Sequence, residues 1–205
     1  VVSLLDRWDT EHQTVLPGTV VDAVESVSDE YPSKRLIVHF MQPHQPYLGE
    51  RADVIRARIE EHTDAIGWNN EERTASDQSV SRPEGIRHYE AATNPEIDVN
   101  RDDVWEAYTE TLEIALDHVK RMLQSIKGKT VLTADHGELL GERPYICSTA
   151  KYGHFYGEWM EELRIVPWFV VESDQRRHIR PEPPAQHDVV DEEQLDEKLE
   201  MLGYK

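Results

Sequence analysis

The residues best suited to chemistry stand together at Asp135-His136-Gly137-Glu138. A carboxylate beside an imidazole offers a hard oxygen and a borderline nitrogen to a divalent cation, and the adjacent glycine lets the backbone turn away. An Asp-Gly-type turn explains the same letters without any metal. Three other polar residues could join such a site. His44 lies between Pro43 and Pro46, where it either serves a site or simply ends a strand. Lys151 and His154 flank Tyr152-Gly153 and read either as anion-binding groups or as plain surface residues. Glu138 and Glu142 are partners of the ligands or solvated acid, and His39, inside an apolar run, is expected to be a packed core histidine.

These residues need elements to hold them. Thr19 can cap a helix whose apolar face is Val20, Val24, Val27 and Tyr31, stopped by Pro32. Leu36 to Met41 is short, β-branched and aromatic, and reads as a buried strand ended by Pro43 and Pro46. Arg51 to Ile66 is helix-like but highly charged. Residues 50–100 otherwise show no clear period and read as an insertion or active-site loop. The strongest helix spans about Asp103 to Ile126, with Val104, Tyr108, Leu112, Ala115, Val119, Leu123 and Ile126 on one stripe. Asp102 or Asp103 is expected to cap it and Gly128 to end it. Strands follow at Thr130–Ala134 and Ile165–Val171. Residues 173–205 form a polar, Pro-rich tail closing in a short helix from Asp191 that carries Leu195, Leu199 and Leu202.

Helices alternating with short apolar strands, with no hairpin signal between the strands, predict a single α/β domain over 1–205 with a largely parallel sheet flanked by helices. In such sheets ligands sit beyond the carboxyl ends of strands, and both Pro43-His44 and Asp135-His136 fall there.

Composition excludes several functions. With 22 basic against 41 acidic residues the formal net charge is −19, which opposes binding to nucleic acid or to an anionic membrane surface. No apolar run is long enough to span a bilayer. One cysteine, Cys147, excludes an internal disulfide framework. The acid is spread along the chain, and arginines outnumber lysines 15 to 7. That composition is similar to halophilic archaeal proteins, in which salt screens self-repulsion; an ordinary acidic protein would read the same way.

Several motifs in order carry a family resemblance. Thr133 to Glu142, with Asp135-His136-Gly137-Glu138 inside it, resembles the metal-binding segment of sulfatases and related hydrolases of the alkaline phosphatase superfamily. Val38 to Tyr47 resembles the family's strand and Pro-His-x-Pro turn. Tyr152-Gly153-His154 with Glu161 to Pro167 resembles the segment that returns to the active site, and Leu202-Gly203-Tyr204 a frequent C-terminus. The match spans roughly residues 15–205, with 50–100 unmatched. It implies a sulfatase-like fold and hydrolysis of sulfate or phosphate esters assisted by a divalent metal (Ca, Mg, Mn or Zn). Asp135 and His136 would be the metal ligands. His44 and His154, or Lys151, would contact the anion or assist the leaving oxygen. The substrate would be a small anionic ester or a sulfated or phosphorylated glycan.

The chain departs from the family in lacking the Cys/Ser-x-Pro-x-Arg nucleophile motif; Cys147-Ser148-Thr149 has neither the Pro nor the Arg. No early strand ends in paired acids. The start at Val1 reads as processed or incomplete, with an N-terminal part missing and a homodimer, or association with that part, covering the exposed faces. Two further readings stay open: a phospho-alcohol (phosphoethanolamine-type) transferase, and an incomplete remnant serving as a binding or assembly module. No export signal is visible, which suggests a cytoplasmic location.

Overall fold

A computed structural model of the chain describes residues 1–65, 88–154 and 159–181. A single turn of 3-10 helix, Leu5–Arg7, precedes α1, Pro17–Glu30. Pro17 occupies the first turn, where its missing N–H costs nothing, and the cap is Leu16, three residues before the expected Thr19. Helix α2 spans Glu50–Ala65, α3 His88–Thr93 and α4 Arg101–Ser125. Strands β1 (Thr130–Thr133), β2 (Leu139–Glu142) and β3 (Lys151–Gly153) follow, then the one-turn α5 (Glu161–Arg164) and β4 (Trp168–Val171).

Helix α4 is the spine. Its cap is Asn100, not the expected Asp102 or Asp103. The Asn100 side chain accepts from the N–H groups of Asp102 and Asp103 at 2.7 and 3.2 Å, and Asp103 accepts from the Asn100 N–H at 2.8 Å. This reciprocal box satisfies donors that the first turn leaves open. The buried stripe is Val104, Ala107, Thr111, Ala115, Val119 and Met122, rotated from the expected one toward α1 and α2. Thr111 is tolerated there because its hydroxyl donates to the Ala107 carbonyl at 2.8 Å and accepts from the Leu48 N–H at 2.9 Å. Gly128, at φ +102°, turns the chain after α4.

The spine serves two cores. Its N-terminal half packs with Tyr47, Ala52, Ile55, Tyr89, Leu140 and Tyr152. Thus α2 and α3, both within the stretch read as an insertion, supply central core residues. The C-terminal half packs Val119 and Met122 against Val21 and Val24 of α1, with Leu36, Val38, Phe40 and Leu132 alongside.

The sheet differs from the expectation of a largely parallel one. The described strands form two separate antiparallel pairs. Strand β1 pairs with β4, with Thr130 opposite Val171 and Thr133 opposite Trp168. Strand β2 pairs with β3, with Leu139 opposite Gly153. The reason lies in chain order. A parallel pair needs a long crossover, usually a helix laid across the sheet. Here the long helices α1, α2 and α4 all precede β1, and between β1 and β4 the described chain holds only the β2–β3 pair and one helical turn. A layered sheet with helices interleaved between its strands cannot be assembled from that order.

The run Leu36–Phe40 has the burial of a strand without the pairing. Leu36, Val38 and Phe40 are half-buried while Ile37 and His39 are exposed, the period-2 alternation of extended backbone. It makes no ladder with any described strand. His39 is therefore not the packed core histidine expected; its side chain is 65% exposed. The C-terminal helix expected from Asp191 and the Leu202-Gly203-Tyr204 ending lie outside the described residues.

Candidate metal centre

The β2–β3 ladder builds the heart of the site. Leu139 faces Gly153 across the pair, so the residues just beyond, Glu138 and His154, become neighbours. His154 Nδ1 lies 3.2 and 3.4 Å from the two Glu138 carboxylate oxygens. The Glu138 side chain is only 6% exposed. A carboxylate so removed from water requires a partner.

His44 arrives from a different segment and is held on both sides. Before it, Gln42 is buried and its amide donates to Thr14 Oγ1 at 3.1 Å and to the Val15 carbonyl at 3.2 Å. After it, the fully buried Tyr47 donates its hydroxyl to that of Tyr89 at 2.9 Å. The His44 Nδ1 pairs with the Gln45 carbonyl. Such a bond fixes the tautomer and leaves Nε2 as the acceptor, the arrangement commonly found behind metal-bound imidazoles. The His44 and His154 rings lie 5.1 Å apart, edge to face. One ligand atom from each of His44, Glu138 and His154 lies within 4.8 Å of the others. Two imidazoles and one carboxylate could therefore hold a divalent ion, and they are a donor set that leaves a coordination position open for catalysis.

Electrostatics separates the two imidazoles. Burial lowers the pKa of His44 below the ordinary histidine value, against a smaller opposing pull from Glu138. The Glu138 carboxylate raises that of His154, chiefly through their hydrogen bond. His44 is thus a neutral imidazole at pH 7, as a metal ligand must be. Burial also raises the phenols of Tyr47 and Tyr89 well above the usual value, so the wall behind the site stays uncharged.

The pair singled out from sequence sits at the edge of this group. Asp135 is exposed; its Oδ1 accepts from the His136 N–H at 3.0 Å and its Oδ2 lies 3.6 Å from His39 Nε2. His136 is half-buried and its ring centre is 4.2 Å from that of His154. Its Nδ1 pairs with the Gly137 carbonyl at 2.8 Å. The structure therefore brings His44, His136 and His154 around Glu138, with Asp135 turned toward His39. Lys151 stands at the opposite end of β3 from His154, paired across the ladder with Glu142. Cys147 is exposed in the loop joining β2 and β3.

Gly137 locks the loop in place. Its N–H donates to the Leu163 carbonyl at 3.0 Å, and a Cβ at this position would collide with the Glu162 carbonyl oxygen. Glu138 was the residue that sequence left undecided between partner and solvated acid. Its burial depends on the pairing of β2 with β3, and the signal was the match of Leu139-Leu140 with Tyr152-Gly153, two short apolar pieces able to form one ladder.

Compared with known proteins, the chain matches no family model, no curated protein and no solved structure. No described helix is long and apolar enough to cross a membrane.

Proposed function

We propose that the chain is a metal-dependent hydrolase acting on sulfate or phosphate esters. The observation that carries this reading is the convergence of His44, Glu138 and His154 from three separate segments. These three would hold the cation; His136, whose ring lies against that of His154, would meet the anionic group, and Asp135 accepts from the His136 backbone N–H. This differs from the pairing suggested by adjacency, in which Asp135 and His136 would be the ligands. A bound cation would supply Lewis-acid polarisation and neutralise charge on the transferred group. That matters in a chain of net charge −19, which otherwise repels an anionic substrate.

In the reaction, the oxygen of water bonds to sulfur or phosphorus and gives up a proton, the bond from sulfur or phosphorus to the ester oxygen breaks, and that oxygen takes up a proton to leave as the alcohol. The chain's own contribution is a dry wall of Tyr47 and Tyr89 behind the site and imidazoles on its open side. The test is turnover of aryl sulfate and aryl phosphate by the full chain, with and without added Mn or Zn. Cation-dependent cleavage of one of them, lost in Glu138→Gln, is expected. Cleavage of neither, by a chain that also retains no cation, would overturn the reading.

A further inference from the structure

We propose that the cleft between Tyr145 and Trp159 is a carbohydrate subsite.

The cleft is a cavity of about 590 Å³ whose lining includes Arg143, Tyr145, Trp159, Met160, Glu161 and Glu162, a size typical of small-molecule sites. Tyr145 and Trp159 are each 78% exposed. Two large aromatic rings left in water beside one cavity mark a binding surface rather than a core. The Trp159 ring is held by the Arg164 guanidinium, 5.2 Å from its centre, which steadies one face and leaves the other open. The Tyr145 turn is also ordered. Ser148 Oγ accepts from the Tyr145 N–H at 3.2 Å, and the Arg143 guanidinium donates to the Ser148 carbonyl at 3.3 Å.

This combination selects its ligand by chemistry. A pyranose ring has a C–H face that stacks on the electron-rich face of an aromatic ring, and a rim of hydroxyls that both donate and accept. Glu161 and Glu162 accept from such a rim and Arg143 donates to it. A lipid chain would leave three charged groups without use. A nucleic acid would meet two carboxylates on a strongly acidic protein. A shallower depression shares Arg143 and Tyr145 and continues to Ile146 and Cys147.

The cleft also touches the polar corner formed by His39, His44, Asp135, His136, Glu138 and His154. Glu162 lines it, and the Glu162 backbone abuts Gly137, the residue between His136 and Glu138. A sugar stacked on Trp159 therefore lies against the loop that carries the site.

The test is titration of the full chain in molar KCl with neutral trisaccharides built from glucose, galactose or N-acetylglucosamine. Tryptophan fluorescence and NMR saturation transfer report binding. Saturable binding of at least one is expected, weakened about tenfold in Trp159→Ala and in Tyr145→Ala, and largely restored in Trp159→Phe. Absence of binding by the unmodified chain, or binding unchanged in both alanine variants, overturns the subsite. Binding is read without turnover, so the two readings fail separately. A chain that binds sugar but cleaves no ester keeps the subsite and removes the hydrolase. Cleavage without sugar binding removes the subsite alone.

Discussion

The polar corner has two halves that differ in burial more than in residue type. On one side Glu138 is paired with His154 and grouped with His44, and the Glu138 carboxylate is almost wholly removed from water. On the other, Asp135 and His39 face solvent, with side chains 57% and 65% exposed. His136 lies between them, its ring tilted at 41° to that of His154 with 4.2 Å between centres. Both halves contain a carboxylate within reach of an imidazole. Only in the buried half is the local dielectric low enough for the contact to be worth much and for its loss to be costly. Adjacent residues in one short loop thus belong to different energetic worlds.

The largest effect should separate the halves directly. Glu138→Gln removes the buried anion and is expected to lower divalent-cation affinity about 100-fold, whereas Asp135→Asn changes it by less than about tenfold. Calorimetric titration of both variants reads the ratio; equal losses would erase the distinction between the halves.

Next comes acid. His88 is buried against Tyr47, its Nε2 has no partner among the described residues, and burial pulls its pKa from 6.5 down to about 4, with the Arg56 charge assisting. Above pH 6.5 both the folded and the unfolded chain hold it neutral. Between 6.5 and 4 the unfolded chain takes a proton that the folded chain refuses, so stability falls as pH falls across that window. The total loss is about 3 kcal/mol, complete below pH 4. Urea midpoints measured against pH should show this limb, and His88→Leu should flatten it. An unchanged limb in His88→Leu would show that this buried histidine does not set the acid response.

A smaller change tests the wall behind the site. Tyr89→Phe leaves the buried Tyr47 hydroxyl without its acceptor and should cost about 1–3 kcal/mol in denaturant unfolding. The smallest lies on the surface. Arg121 contacts Asp22 at 2.6 Å, both side chains about half exposed or more, and Asp22→Asn should cost less than about 1 kcal/mol. If the surface change matched the buried one, burial would not be the organising variable.

Legibility in the sequence followed the same divide. Helix α4, Gly128 and strand β1 were readable because a 3.6-residue stripe, a terminator and a short β-branched run are local signals. Asp135 and His136 stand out in the sequence because they are contiguous at a strand end, whereas the group that could hold a metal ion is His44, Glu138 and His154. The pairing directions were not readable, since strand order depends on contacts far apart in the chain and no long helix among the described residues lies between β1 and β4 to carry a parallel crossover. Glu138 was not, because its burial is created by the ladder with β3. Two aspartates next to Asn100 give the same local cap signal, and only the extended backbone at Asn100 decides between them. Thr111 looked polar, and its hydroxyl is satisfied inside the core by Leu48, 63 residues away.

The central claim is that the buried half, not the contiguous Asp135-His136 pair, grips the cation. X-ray absorption fine structure of the zinc-loaded chain tests it most directly. The account predicts two imidazole ligands at about 2.0–2.1 Å together with carboxylate oxygen, with the imidazole count falling to one in His44→Ala. A single imidazole in the unmodified protein, unaffected by His44→Ala and abolished by His136→Ala, would contradict it.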